Sequence, residues 1–92
     1  MPVNCYGNSP DFNAFEQISS SANIPIIYDA CHAFGIEDTL PVVQQGYASV
    51  VSFHATKVFN TFEGGAVFTN NPQLKLIAES FRDWGRDCYC AP

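Results

Sequence analysis

Two short apolar runs, Pro25-Ile26-Ile27-Tyr28-Asp29-Ala30 and Ala48 to His54, constrain this chain more than any other feature. Each is continuous rather than alternating and rich in β-branched residues, the pattern of a strand covered on both faces. Ahead of the first run, Val3 to Tyr6 reads as another strand, broken by Gly7-Asn8-Ser9-Pro10. Ser9 is placed to cap a helix, with Pro10 in its first position and Asp11 complementing the dipole. Phe12, Phe15 and Ile18 follow at spacing three, so an amphipathic helix is predicted from Pro10 to about Ser20. Strand, helix and strand within about thirty residues make a βαβ unit, hence a parallel pair with a right-handed crossover.

Residues 33–46 show little periodicity, and Gly35, Pro41 and Gly46 punctuate them as a loop with one helical turn. Gly65 to Thr69 is a third strand, close enough to the second for a hairpin. Asn71 then caps a helix with Pro72 in its first position. Leu74, Ile77, Ala78, Phe81 and Trp84 mark its buried stripe, and Gly85 ends it. The expected fold is α/β, a mostly parallel sheet with one hairpin-like pair.

Ninety-two residues with 47% hydrophobic and 14% charged side chains suit part of a globular interior, one small domain at most. Continuous apolar strands in so short a chain imply a layer covered by more protein than these residues supply. The net charge is −5, and Lys57, Lys75, Arg82 and Arg86 are the only basic residues. They form no basic stripe, which excludes a nucleic-acid-binding reading. No apolar run reaches membrane-spanning length, and Met1-Pro2-Val3-Asn4 does not open a signal peptide. A cytoplasmic protein is expected, its four cysteines, Cys5, Cys31, Cys88 and Cys90, buried and reduced.

In parallel sheets, ligands bind beyond the carboxyl ends of the strands. Asp29 stands at such an end, with His32 three residues on. Lys57 follows the second apolar run, and Phe53, Val58, Phe59 and Phe62 around it would partly desolvate its amine and favour nucleophilic attack on an aldehyde. Ser52 lies five residues before Lys57, an odd separation that puts the two on opposite faces unless a turn begins near His54. A lysine, a carboxylate and a hydroxyl at strand ends are the parts needed to hold pyridoxal phosphate. Glu63-Gly64-Gly65 is a turn between strands. Cys88 and Cys90 would supply two metal ligands where a structural site wants four.

Three segments, Ile-Tyr-Asp-Ala-Cys-His-Ala-Phe-Gly (27–35), Ser-Phe-His-Ala-Thr-Lys (52–57) and Asn-Thr-Phe-Glu-Gly-Gly-Ala (60–66), together resemble the DegT/DnrJ/EryC1/StrS family of sugar aminotransferases that use pyridoxal phosphate. The resemblance implies that residues 1–92 are part of the cofactor-binding large domain of a fold-type I transferase, which works as a homodimer. It implies transfer of an amino group from an amino-acid donor to a nucleotide-linked keto-sugar. Lys57 would bond the cofactor aldehyde and shuttle the proton, Asp29 would pair with the pyridine nitrogen, His32 would approach the cofactor oxygen and Ser52 the phosphate.

Residues 80–92 are instead similar to the deoxysugar 3-dehydratase branch of the same family, which uses pyridoxamine phosphate. Some members of that branch also hold an iron–sulfur cluster. Cys31, Cys88 and Cys90 match its ligand positions, whereas Lys57 departs from the histidine that replaces lysine there. A third expectation is a non-enzymatic piece, inactive in isolation, since neighbouring strands and a phosphate-cradling helix start are missing.

Overall fold

The computed structural model describes residues 1–36 and 41–85. Its regular elements are helix α1 (Phe12–Ala22), strands β1 (Ile27–Asp29), β2 (Ala48–Ser52) and β3 (Gly65–Phe68), and helix α2 (Pro72–Arg82), with 3-10 turns at Cys5–Gly7 and Val42–Gln44. The sheet runs β1-β2-β3. β1 and β2 are parallel, with Tyr28 opposite Ser49 and Asp29 opposite Val50. β2 and β3 are antiparallel, with Val50 opposite Val67 and Ser52 opposite Gly65.

The first expected strand shrinks to one parallel bridge between Val3 and Asp29, made by Asp29 N–H to the Pro2 carbonyl and Asn4 N–H to the Asp29 carbonyl, both 2.9 Å. Residues 5–7 cannot extend it, because Tyr6 and Gly7 take positive φ and curl the chain into a turn.

α1 starts at Phe12 rather than Pro10, and Asp11 caps it in place of Ser9 by accepting the Ala14 N–H at 3.0 Å. Phe12 and Phe15 lay their edges on Tyr28, with centroids 5.3 and 6.3 Å away, while Ile18 points into solvent. Around that contact lies the core of Phe12, Ile26, Tyr28, Ala30, Ala33, Val42 and Val51, flanked by Ala66 and Phe68. Burial pushes the Tyr28 hydroxyl up, helped by the Glu16 charge. Ser49, fully buried, donates to the Val42 carbonyl at 2.6 Å and ties the 3-10 turn to β2.

The face away from α1 is only partly covered, against the expectation for both. Tyr28 and Val51 face α1, whereas Ile27 and Val67 on the other face are exposed. The stripe expected on α2 is likewise not buried: Ile77, Phe81 and Trp84 are 51%, 79% and 90% exposed. Ala78 is the member of that stripe that lies beside Val50 and Val67, together with Lys75 and Glu79 from outside it. Asn71 caps α2 as expected, accepting the Gln73 and Leu74 N–H groups at 2.9 and 3.0 Å. Periodicity marks an apolar stripe, but the layer that covers it must come from elsewhere.

Candidate active site

The parallel register sets the site. Residues opposite or two apart share a face of the sheet, so Asp29, Val50 and Ser52 lie on the face away from α1, at the carboxyl ends of neighbouring strands. Past Ser52, β2 gives way to a turn. Phe53 N–H donates to the Gly64 carbonyl at 2.8 Å, Ala55 N–H to the Phe62 carbonyl at 2.7 Å and Lys57 N–H to the His54 carbonyl at 2.9 Å. This is the turn that Ser52 and Lys57 require, and both side chains reach one cavity.

The cavity has a volume of about 380 Å³ and is lined by Tyr6, Cys31, His32, Phe34, Ser52, Thr56, Lys57, Val58 and Phe59. That is within the range of small-molecule sites, roughly 300–1,000 Å³. A larger hollow of 690 Å³ along α1 is lined by Asn13, Glu16, Gln17, Ser20 and Ser21, and no amine or aromatic ring faces it. Lys57 is half-buried, but Val58 and Phe62 stand out in solvent, so the apolar sheath around it is thinner than expected. Phe53 and Phe59 instead pack with Phe34, at centroid distances of 5.0 to 5.5 Å, and bind the loop after β1 to the loop after β2.

Asp29 does not line the cavity; it stands behind Cys31, whose N–H donates to Oδ1 at 3.1 Å. Hydrogen bonds from the Cys31 side chain and backbone hold the Asp29 carboxyl below the usual carboxylate range. Partial burial opposes that shift, and the charges of His32 and Lys57 reinforce it. Burial pushes the Cys31 thiol up, as does the Asp29 carboxylate, with Lys57 pulling the other way. Among the described residues no group of three or more His, Cys, Asp or Glu side chains converges to hold a metal ion. Cys88 and Cys90 lie outside the described residues.

Ser52 Oγ accepts the His54 N–H at 3.3 Å, leaving its own O–H to donate. His32 Nδ1 accepts the Tyr6 N–H at 3.3 Å, and the two rings stack with centroids 5.7 Å apart. The structure therefore gathers His32, Ser52 and Lys57 on one cavity, with Asp29 outside its lining and bonded to Cys31. Tyr6, Phe34 and Thr56 were missed by sequence reasoning. Tyr6 sits in the 3-10 turn and the other two in loops; the signal for Phe34 and Thr56 was their place in the segments 27–35 and 52–57.

The model of the DegT/DnrJ/EryC1/StrS aminotransferase family matches residues 1–90. The chain belongs to that family. It is similar to the dTDP-4-amino-4,6-dideoxy-D-glucose transaminase of Shigella dysenteriae, 49% identical over 92% of this chain and 23% of the relative. It is similar also to the lipopolysaccharide biosynthesis protein RfbH of Salmonella typhimurium, 42% identical over 100% of this chain and 21% of the relative. Among solved structures, NtdA from Bacillus subtilis with bound cofactor PMP superposes with a TM-score of 0.86 at 26% identity, over 97% of this chain and 20% of that one. The chain thus spans about a fifth of the length of the family members it matches. The α/β piece with its mixed three-stranded sheet is the family fold in part. No helix among the described residues is long and apolar enough to cross a membrane.

Proposed function

We propose that this segment carries the cofactor-anchoring lysine of a sugar aminotransferase, which moves an amino group from an amino acid to a nucleotide-linked keto-sugar. What supports it above all is Lys57 sharing one cavity with Ser52 and His32, ahead of an ionised Asp29. The residues fit pyridoxal phosphate by the chemistry of their donors: an amine for an aldehyde, a hydroxyl for a phosphate, a carboxylate for a protonated ring nitrogen. Bound there, the cofactor supplies an electron sink for charge that develops on the substrate carbon.

Each residue then has a task. Lys57 Nζ anchors the group and moves a proton. Ser52 Oγ, already accepting from His54, donates its O–H to a phosphate oxygen. Asp29, kept ionised by Cys31, is the carboxylate that would keep a proton on the ring nitrogen, and His32 would face the ring oxygen. A homodimer fits the exposed apolar side chains of β3 and α2, which call for covering protein. The dehydratase alternative depends on Cys88 and Cys90 with Cys31, and Lys57, where that branch carries histidine, counts against it. The 92 residues alone are expected to bind the cofactor weakly, because one face of the sheet is only partly covered.

The test transplants the chain into the matching segment of the Shigella dysenteriae transaminase. The chimera should transfer amino groups, and Lys57→Ala should lose activity by about a hundredfold or more together with the absorbance of lysine-bound cofactor. Activity or that absorbance surviving in Lys57→Ala refutes the assignment.

A further inference from the structure

Tyr6 is an unusual residue in an unusual place. It is 89% exposed, sits at φ +52 and lines the Lys57 cavity. An aromatic L-residue in the left-handed region is uncommon, and such conformations gather at functional sites where the surroundings enforce them. Here the enforcement is visible. Gly7 follows at φ +83, and a Cβ on it would overlap the Ile36 side chain and come within 3.3 Å of the His32 carbonyl. Glycine at 7 therefore lets the loop after Val3 press against the loop after β1. That approach aims the Tyr6 N–H at His32 Nδ1, 3.3 Å away, and lays the phenol ring on the imidazole at 29° between planes.

An imidazole nitrogen that accepts an N–H carries no proton of its own, so the proton of neutral His32 is left to Nε2. We propose that Tyr6 is a positioning residue, one that fixes His32 in the Nε2–H tautomer and backs its ring. His32 then meets the occupant of the Lys57 cavity as a hydrogen-bond donor to an oxygen on the cofactor ring. This rests on the pyridoxal-phosphate reading above for the nature of the occupant, and on the backbone geometry alone for the tautomer.

The test is long-range ¹H–¹⁵N correlation spectroscopy of the full chain with labelled histidine, at a pH where His32 is neutral. Wild type should show His32 as the Nε2–H form only, and Tyr6→Phe, which keeps the ring and the N–H, should show the same. Tyr6→Pro, which lacks the N–H and cannot adopt φ +52, removes both the bond and the turn that aims it, and should return His32 to the tautomer mixture of a free imidazole. A mixture in wild type, or a single tautomer surviving in Tyr6→Pro, overturns the proposal. The wild-type spectrum decides even if Tyr6→Pro does not fold. Adding pyridoxal phosphate should shift His32 Nε2 more than Nδ1. If the tautomer is single but neither nitrogen shifts in the chimera, the cofactor reading fails and the positioning role stands. If cofactor anchors on Lys57 while His32 stays mixed, the positioning role fails alone.

Discussion

Replacing Asp29 by Asn isolates what the charge at the end of β1 contributes. Asparagine keeps an oxygen for the Cys31 N–H, now 3.1 Å from Asp29 Oδ1, and loses the attraction of His32 and Lys57 that helps hold the carboxyl down. A hydrogen bond to a charged acceptor contributes about 1.5–3 kcal/mol against about 1 for a neutral one, so the change should cost about 1 kcal/mol at pH 7 for this partly exposed group. Urea unfolding followed by circular dichroism reads it. With a slope of about 1 kcal/mol per molar for so small a chain, the midpoint should fall by about 1 M. The pH dependence supplies the stricter half of the test. The folded-state pKa of Asp29 lies below its unfolded value of about 3.9, so the contribution is complete above about pH 4 and is lost as pH falls through the folded value. Wild type and Asp29→Asn should therefore converge in strong acid. Equal midpoints at pH 7, or a gap that persists unchanged at pH 2, would refute the claim that ionised Asp29 is stabilised by its surroundings.

Three further outcomes follow from the packing. Ser49→Ala removes the buried hydroxyl that donates to Val42, and should cost about 1–2 kcal/mol of unfolding free energy by the same urea assay. Gly65→Ala would set a methyl 2.8 Å from the Val51 carbonyl. β3 must then shift against β2, and in the chimera the Lys57 loop should move with it, seen as weaker cofactor absorbance than the parent chimera at equal loading. Asn71→Ala strips two N–H groups of their acceptor, and a cap contributes about 1 kcal/mol. Because α2 has no buried residue, the loss should stay local, speeding amide exchange in the first turns of α2 about fivefold while β2 is unaffected.

Element order was legible because apolar runs, caps and turn residues agree along most of the chain. Asn71-Pro72 reads as a helix start with one interpretation, and the structure bears it out. At Ser9-Pro10-Asp11 two side chains compete for the cap, and propensity cannot rank them; Asp11 wins by reaching the Ala14 N–H. Tyr6 and Gly7 hid the shortness of the first strand, since only the contact of Gly7 with Ile36 and His32 reveals why the chain turns there. The gathering of His32, Ser52 and Lys57 was legible from strand ends, where period two and a parallel sheet restrict the choices. Tyr6 and Phe34 were not, because loop residues meet only through tertiary contacts. The exposed side of α2 shows the same limit: periodicity says which residues share a face, and not what covers it.

How firmly the amine at 57 is placed depends on two separate fastenings. The first is vertical. Residues 53–64 continue the β2–β3 ladder beyond the sheet, with the Phe53 and Ala55 N–H groups donating to the Gly64 and Phe62 carbonyls and the Thr61 N–H to the Phe53 carbonyl, and the His54 ring adds a side-chain clasp, Nδ1 accepting the Thr56 N–H at 3.2 Å. The second is lateral. Phe34 follows β1, Phe53 and Phe59 follow β2, and their edge-on packing is the aromatic link between the half of the site holding Asp29 and His32 and the half holding Ser52 and Lys57. Aromatic pairs of this kind contribute about 0.5–1.5 kcal/mol each beyond burial, comparable to the charge effect at Asp29. Both fastenings are made within these residues, between the loop after β1 and the β2–β3 connection.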